Sequence, residues 1–435
     1  MRKGQTLYNK AKGIIPGGTM LLSKRPEMHL PDLWPSYFDT SKGIYVKDLD
    51  GNVYTDMYIM GIGTNTLGYG NLYVDEAVSA VIKKGNMSTF NCPEEVELAE
   101  KLVELHPWGE MVRFARSGGE ANSIAVRIAR AASGRDKVAI CGYHGWHDWY
   151  LSTNHNNVDG LSGHLLPGLD TAGVPKNLKN TVFPFHYNDF EELEKLVSEN
   201  EIGVIKMEVV RNFGPENNFL QKVRKLATEK NIVLVFDECT SGFRETYGGI
   251  FKKYDVEPDM AMFGKTIGNG YALTAVVGKK EVMEAAQKSF ISSTFWTERI
   301  GPTAALKTLE IMDRIKSWDI ITERGSKMQK GWKELATNHA LGISVSGIPS
   351  LSTYSFNSGD ALKYKTLITQ EMLKKGFLAS TNFYACTEHH DTYFVSYFDA
   401  LDSIYKIISE CEKGNKNINN LLEGPVCHSG FKRLN

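Results

Sequence analysis

The chain has 435 residues, is 42% hydrophobic and carries a formal net charge of −1. That length supports two domains and a large core, while the near-neutral balance removes any electrostatic case for nucleic acid or an anionic membrane as partner. No apolar run approaches the roughly 18 residues of a membrane-spanning helix. The six cysteines (Cys92, Cys141, Cys239, Cys386, Cys411, Cys427) show neither a CxxC pair nor a disulfide-scaffold spacing, and the start MRKGQTLYNKAKG has no apolar core of a signal peptide. Both features predict a reduced, cytoplasmic setting.

In chain order, residues 1–60 read as an N-terminal arm, with a short helix over Leu7–Gly13, a Pro-interrupted stretch LPDLWPSYF, and a hairpin GIYVKDLDGNVYTDM turning at Asp50-Gly51. The glycine-spaced GIGTNTLGYG that follows breaks the GxGxxG pattern and reads as a turn-rich loop near a site. From Leu72 the pattern becomes α/β. Apolar residues recur at helical spacing over Tyr73–Lys84 and Glu94–His106. Strands are predicted at Lys137–Cys141, Ile202–Val210, Ile232–Asp237, Met260–Phe263 and Ala275–Gly278, with helices at Phe190–Glu199 and Leu220–Lys230. This alternation implies a mostly parallel sheet covered on both faces. Asn154–Asn180 is an irregular loop of a length that is usually functional. Residues 61–319 thus form a large domain and 320–435 a smaller α+β domain. The latter has predicted strands at Ser350–Phe356 and Thr392–Ser396 and helices at Ala361–Lys375 and Ser403–Glu412.

The chemistry gathers at strand ends. VLVFDECTSGFR and MAMFGKTIGNG each deliver one ionisable residue past a buried run, Asp237 and Lys265. A carboxylate and an amine at the carboxyl edge of an open α/β sheet sit where such folds build their sites. They are the pair that pyridoxal phosphate chemistry requires, an acid for the pyridine nitrogen and a lysine for the aldehyde. Two ordinary strand-end charges are the plainer reading. Ser117 to Glu120 fits the capping box S-x-x-E, and Gly118 and Gly119 inside that first turn expose amides able to hold a phosphate. CGYHGWHDWY follows a strand and presents Tyr143 as a ring for stacking, while His144, His147 and Asp148 lack the spacing of a metal site. KMEVVRN sets Glu208 and Arg211 at another strand end. Gly264-Lys265-Thr266 copies the tail of a P-loop, but Asp259 stands where its first glycine belongs.

Taken together, SGGEA, GYHGWHD, FDECTSGFR, FGKTIGNG and SSTFWTERIGPTAAL come in the order seen in class III pyridoxal-phosphate-dependent aminotransferases, and the chain most resembles their glutamate-1-semialdehyde 2,1-aminomutase-like branch. The resemblance runs from Pro16 to Phe394. It implies a type I fold: a large, mostly parallel, seven-stranded-type sheet domain and a small α+β domain from both chain ends. It also implies pyridoxal 5'-phosphate as cofactor, Lys265 as the Schiff-base lysine and proton carrier, and Asp237 as partner of the pyridinium nitrogen. Ser117, Gly118 and Gly119 would hold the phosphate, Tyr143 and Cys239 would face the two sides of the ring, and Glu208 would sit near the ring hydroxyl. Thr294 would reach the phosphate of the partner in a homodimer.

Four departures bear on the reaction. The family's phosphate turn is SGTEA, and Gly119 lacks that hydroxyl. The family's EPV is EVV here, with Val209 in place of proline. The aminomutase proper has PSQFEA where this chain reads STNFYA, with Tyr384 at the glutamate position, and a GTLSGNP turn where this chain has STFWTERIGP. These differences favour transamination between a separate amino donor and a ketone or aldehyde acceptor. Intramolecular amino transfer of the aminomutase type is the alternative, and a nucleotide-dependent transferase or binding module the reading from another class. Arg25, Arg211, Arg244 and Arg299 are candidates to clamp an acidic substrate, and Trp34, Tyr37 and Tyr58 to line a roomy acceptor pocket.

Overall fold

The computed structural model describes residues 2–157, 159–164, 167–210 and 212–430. It contains two compact units, one of Met1–Asn71 with Asp319–Asn435 and one of Leu72–Trp318. The first unit opens with a helix over Lys3–Ile14 and three strands, β1 (Phe38–Lys42), β2 (Tyr45–Asp48) and β3 (Val53–Asp56). The hairpin between β2 and β3 is held by Asp48, whose Oδ1 accepts the amides of Asp50 and Asn52, each at 2.9 Å. A short side chain that mimics a backbone acceptor favours the turn here. GIGTNTLGYG is turn-rich, with positive φ at both Gly61 and Ile62.

The second unit holds a seven-stranded sheet of β4 (Met111–Ala115), β5 (Lys137–Cys141), β6 (Val182–Pro184), β7 (Ile202–Glu208), β8 (Val233–Glu238), β9 (Met260–Phe263) and β10 (Thr274–Gly278). The order is β4-β10-β9-β8-β7-β5-β6. Only β10 runs antiparallel to its neighbours; the other pairings are parallel. Every residue of β7, β8, β9 and β10 is buried, which is why these strands read as continuous apolar runs. β4 and β6 escape the sequence reading. Both are sheet edges, half-buried, one with Arg113 and the other with Pro184 inside it.

A helix over Gly118–Ser133 covers one face of this sheet. Its Ala121, Ile124, Ala125 and Ile128, spaced i, i+3, i+4 and i+7, share one core with Val138, Val204, Val235, Met262 and Val276. Burying one side chain such as Ile128 contributes about 2 kcal/mol. The helix stops at Gly134, which takes a left-handed φ of 66° and returns its amide to Arg130. Along the described part of the irregular loop, the Asn154 side chain donates to the Leu169 carbonyl and accepts the Leu161 amide, tying the loop to itself.

The chain then re-enters the first unit. β11 (Ile343–Ser346), β12 (Leu351–Phe356) and β14 (Asn382–Tyr384) form an antiparallel sheet, while β13 (Phe377–Leu378) pairs parallel with β3. Its core gathers Met57, Trp332, Tyr354, Phe383, Tyr397 and Tyr405. The strand expected at Thr392–Ser396 is absent, because those residues lie in a helix over Asp391–Glu412. Phe394, Tyr397, Leu401, Ile404, Tyr405 and Ile408 bury one helical stripe, and that longer period overrides the aromatic and β-branched run TYFVS.

Candidate active site

Three parallel strands end side by side. Glu208 of β7 is in register with Asp237 of β8, and Glu238 of β8 with Phe263 of β9. Lys265 follows two residues later, at the start of a short 3-10 turn over Lys265–Gly268, with φ of 43°. Parallel register therefore brings Glu208, Asp237 and Lys265 to one carboxyl edge.

Asp237 is only 3% exposed. His144 places Nδ1 2.8 Å from its Oδ2, and the Cys239 amide donates to its Oδ1 at 3.1 Å. The Lys206 ammonium lies 3.8 Å from Oδ2 and 2.9 Å from Met262 Sδ. Burial alone would raise this carboxyl, but Lys206, His144 and the amide outweigh it and hold Asp237 well below the usual carboxylate range. Burial pushes the pKa of both His144 and Lys206 down, against the opposing pull of Asp237. The imidazole then carries its proton on Nδ1, toward the carboxylate, and leaves Nε2 without a partner among the described residues.

The Lys265 ammonium donates to Thr240 Oγ1 at 2.8 Å. Cys239, beside Thr240, is the point where the three segments meet. A Cβ on Gly264 would lie 3.3 Å from Cys239 Sγ, and one on Gly118 3.9 Å from the same sulfur. Thr274 also donates to the Ser117 carbonyl at 3.3 Å. The carboxylate strand, the lysine turn and the start of the 118–133 helix thus converge on one sulfur. At that helix start the capping box is complete: Ser117 Oγ accepts the Glu120 amide, while Glu120 Oε2 accepts the amides of Ser117 and Arg116 at 2.9 and 3.0 Å. Gly118 and Gly119 form a cradle with amides in the first turn, a ready site for an anion.

Tyr143 follows β5 and donates its amide to Glu208 Oε2 at 3.0 Å. The residue before it must be glycine: Gly142 has φ of 112°, and a Cβ there would sit 2.6 Å from Glu208 Oε2. The structure therefore brings together Ser117, Gly118, Gly119, Tyr143, Glu208, Asp237, Cys239 and Lys265. Thr294 is exposed, at the start of a 3-10 turn over Thr294–Thr297. That turn is anchored to the capping box of its own chain, since Trp296 Nε1 donates to Glu120 Oε1 at 3.2 Å and Arg116 pairs with Glu298 at 2.9 Å.

Of the candidate arginines, Arg299 pairs with Glu94 at 2.5 Å and Arg244 is wholly buried, donating to the Thr240 carbonyl at 2.6 Å. Arg211 lies outside the described residues. Arg25, Trp34, Tyr37 and Tyr58 belong to the other unit, where Trp34 stacks on His29 and the Tyr58 hydroxyl meets His29 Nδ1 at 3.2 Å. The histidines of GYHGWHD diverge, His144 to Asp237 and His147 to Ser123. No group of three or more His, Cys, Asp or Glu able to hold a metal occurs among the described residues.

Sequence reasoning missed three partners: His144 on Asp237, Lys206 on Asp237, and Thr240 on Lys265. Lys206 was findable, because an ammonium inside the apolar run IGVIKMEVV needs a buried anion. The pairing of His144 needed the path of the loop after β5.

Residues 32–397 match the family model of the class III aminotransferases. The chain is similar to a 3-aminobutyryl-CoA aminotransferase of Cloacimonas acidaminovorans, 34% identical over 381 residues, covering 85% of this chain and 87% of that one. It is also similar to a glutamate-1-semialdehyde 2,1-aminomutase of Methanothermobacter thermautotrophicus, 32% identical, covering 88% and 93% of the two chains. Among solved structures, the pyridoxal-phosphate internal aldimine form of FumI from Sphingopyxis sp. MTA144 superposes with a TM-score of 0.85 over 96% of this chain and 99% of that one, at 23% identity.

Proposed function

The chain belongs to the class III aminotransferases, enzymes that use pyridoxal phosphate, and from that premise we propose that it moves an amino group from an amine or amino acid to a separate ketone or aldehyde. The convergence of Lys265, Asp237 and the Ser117–Gly119 turn on Cys239 is the observation that carries this reading. The residues fit the cofactor: a glycine cradle for its phosphate, a buried anion for its ring nitrogen and an amine for its aldehyde. When bound, pyridoxal phosphate supplies an electron sink for the carbon that loses its proton.

The chain's own groups divide the remaining work. Asp237, buried and held ionised by Lys206 and His144, would keep the proton on the ring nitrogen. Lys265 Nζ, which donates to Thr240, would hold the cofactor by its aldehyde and, once the substrate amine has displaced it, would be the free base that takes the proton from the substrate carbon. Tyr143 and Cys239 would face the ring from its two sides, and Glu208 would stand on the ring-hydroxyl side. Ser117 with the amides of Gly118 and Gly119 holds the phosphate. In a homodimer, Thr294 reaches the phosphate bound by the opposite subunit. Six unpaired cysteines support a reducing, cytoplasmic location, and no described helix is long and apolar enough to cross a membrane.

Intramolecular transfer is the second reading, favoured by the likeness to the archaeal aminomutase. Tyr384, where the aminomutase pattern has its glutamate, weighs against it. One experiment separates them. The yellow holoenzyme is given a single amino substrate and no acceptor. A half-turnover that stops with loss of the visible band supports the intermolecular reading; continuous conversion to an isomer overturns it. The Lys265→Ala variant should lack a visible band that borohydride bleaches, and an unchanged band there would overturn the role given to Lys265.

A further inference from the structure

The phosphate turn reads SGGEA, with glycine where the class III pattern places a hydroxyl-bearing side chain. The space beside that glycine is filled from elsewhere. A Cβ on Gly119 would lie 3.0 Å from His147 Nε2 and 3.2 Å from its Cδ2. The approach is close because a second glycine faces the first. Gly145 has φ of 97°, and a Cβ on it would come within 3.1 Å of Gly119 Cα. The HGWH turn therefore packs backbone to backbone on the phosphate turn and delivers the imidazole edge to the place a residue-119 side chain would use.

The ring is held, not merely lodged. His147 Nδ1 lies 2.5 Å from Ser123 Oγ, and Ser123 sits one helical turn beyond Gly119. Trp149 Nε1 donates to the same Ser123 oxygen at 3.1 Å. A chain running from the Trp149 indole to the Ser123 hydroxyl to His147 Nδ1 uses each hydrogen once. It leaves the ring proton on Nε2, the atom beside Gly119. Burial lowers the pKa of this imidazole, against smaller opposing effects of Glu120 and Asp148, so a neutral Nε2–H donor is the resting form. The Trp146 indole nitrogen is also near, 3.4 Å from the same Cβ position, but that side chain is 69% exposed and no hydrogen bond of its own fixes it among those described.

We propose that His147 is a ligand of the cofactor phosphate, donating from Nε2 the hydrogen bond that Gly119 has no side chain to make, with Ser123 and Trp149 as its positioning residues. This rests on the assignment of Ser117–Gly119 as the phosphate turn. A donor on a doubly charged phosphate in a partly dry site is stronger than a neutral pair. Its loss should weaken cofactor binding by about 10- to 100-fold.

The test compares two ligands on the apoenzyme, pyridoxal phosphate and pyridoxal, by absorbance titration, with the phosphorus NMR shift of the bound cofactor as second readout. His147→Phe keeps a flat ring and removes the donor. It should lose pyridoxal phosphate affinity about 10- to 100-fold, leave pyridoxal binding unchanged and move the phosphorus resonance. His147→Gln, which retains an N–H at a similar reach, should recover part of that affinity. The double variant Gly119→Thr with His147→Ala, which returns a hydroxyl to the turn and vacates the room for it, should bind pyridoxal phosphate more tightly than His147→Ala alone. Ser117→Ala is the control for the phosphate turn itself. If Ser117→Ala discriminates between the two ligands and neither His147 variant does, the assignment of His147 is overturned while the turn stands. If no variant discriminates, the phosphate turn is misplaced and both fall. Equal loss of pyridoxal and pyridoxal phosphate in both His147 variants would make the histidine a packing residue and also overturn it.

Discussion

Lys206 sits in the middle of an apolar strand, wholly buried, with its ammonium 3.8 Å from the Asp237 carboxylate. Removing one member of a buried ion pair leaves the other charge in a dry environment. His144 and the Cys239 amide still serve Asp237, so the loss is partial. Lys206→Met should therefore destabilise the fold by about 3 kcal/mol in denaturant titrations. A raised midpoint would mean instead that Lys206 is buried neutral and costs the fold more than it contributes. The pH dependence gives a second check. A carboxyl held below its unfolded value of 3.8 contributes stability that is present above that value and lost as pH falls through the folded one. Without Lys206 the folded value rises, so acid unfolding in Lys206→Met should begin at higher pH than in the parent.

Along β8, side chains alternate between faces, so neighbouring acids meet opposite environments. Asp237 faces cations and donors. Glu238 faces the other way, against the Ser241 hydroxyl at 2.5 Å and the Phe251 amide at 3.1 Å. Burial pushes the Glu238 carboxyl up to about 8, only partly offset by those hydrogen bonds. A carboxyl raised this far above its unfolded 4.5 stabilises the fold fully below that value and loses the contribution as pH rises to about 8. Glu238→Gln should remove a stability decline on the order of a few kcal/mol across that window. Thermal unfolding of parent and variant at pH 6 and pH 9 checks it; parallel curves would show that Glu238 is already ionised at pH 6. The same strand shows what sequence reading handles well. Continuous apolar runs bounded by turn residues exposed β7 through β10, because burial on both faces favours apolar residues, with Lys206, Glu208, Asp237 and Glu238 as the charged exceptions at or near the site. Edge strands β4 and β6 and the helix at Thr392 escaped, since their local residues do not say what will cover them.

At the scale of the molecule, the eight converging site residues and Thr294 all lie within the Leu72–Trp318 unit, and Thr294 differs from them in being exposed on a separate turn. Its turn is tied by Trp296 to the capping box of its own chain, and the role proposed for Thr294 in the site of a second copy is independent of that contact. Hybrid dimers test this. Subunits carrying Lys265→Ala mixed with subunits carrying Thr294→Ala should yield one fully intact site per hybrid when Thr294 acts across the interface. Activity should then approach half that of the parent with unaltered cofactor affinity. If Thr294 serves its own chain, every site in the hybrid keeps one defect and no such recovery appears.

The sequence by itself determined the α/β alternation, the acid and the amine past two buried strands, the capped glycine turn and the order of motifs that marks the family. These are local or ordered along the chain, so periodicity, capping and spacing suffice to read them. Only the tertiary structure decided that His144 and Lys206 share Asp237, that Thr240 receives Lys265, and that His147 stands beside Gly119. The His144–Asp237 and Lys265–Thr240 hydrogen bonds join residues 93 and 25 positions apart. Their meeting depends on parallel strand register and on two glycines packed face to face, neither of which is encoded in any one segment alone.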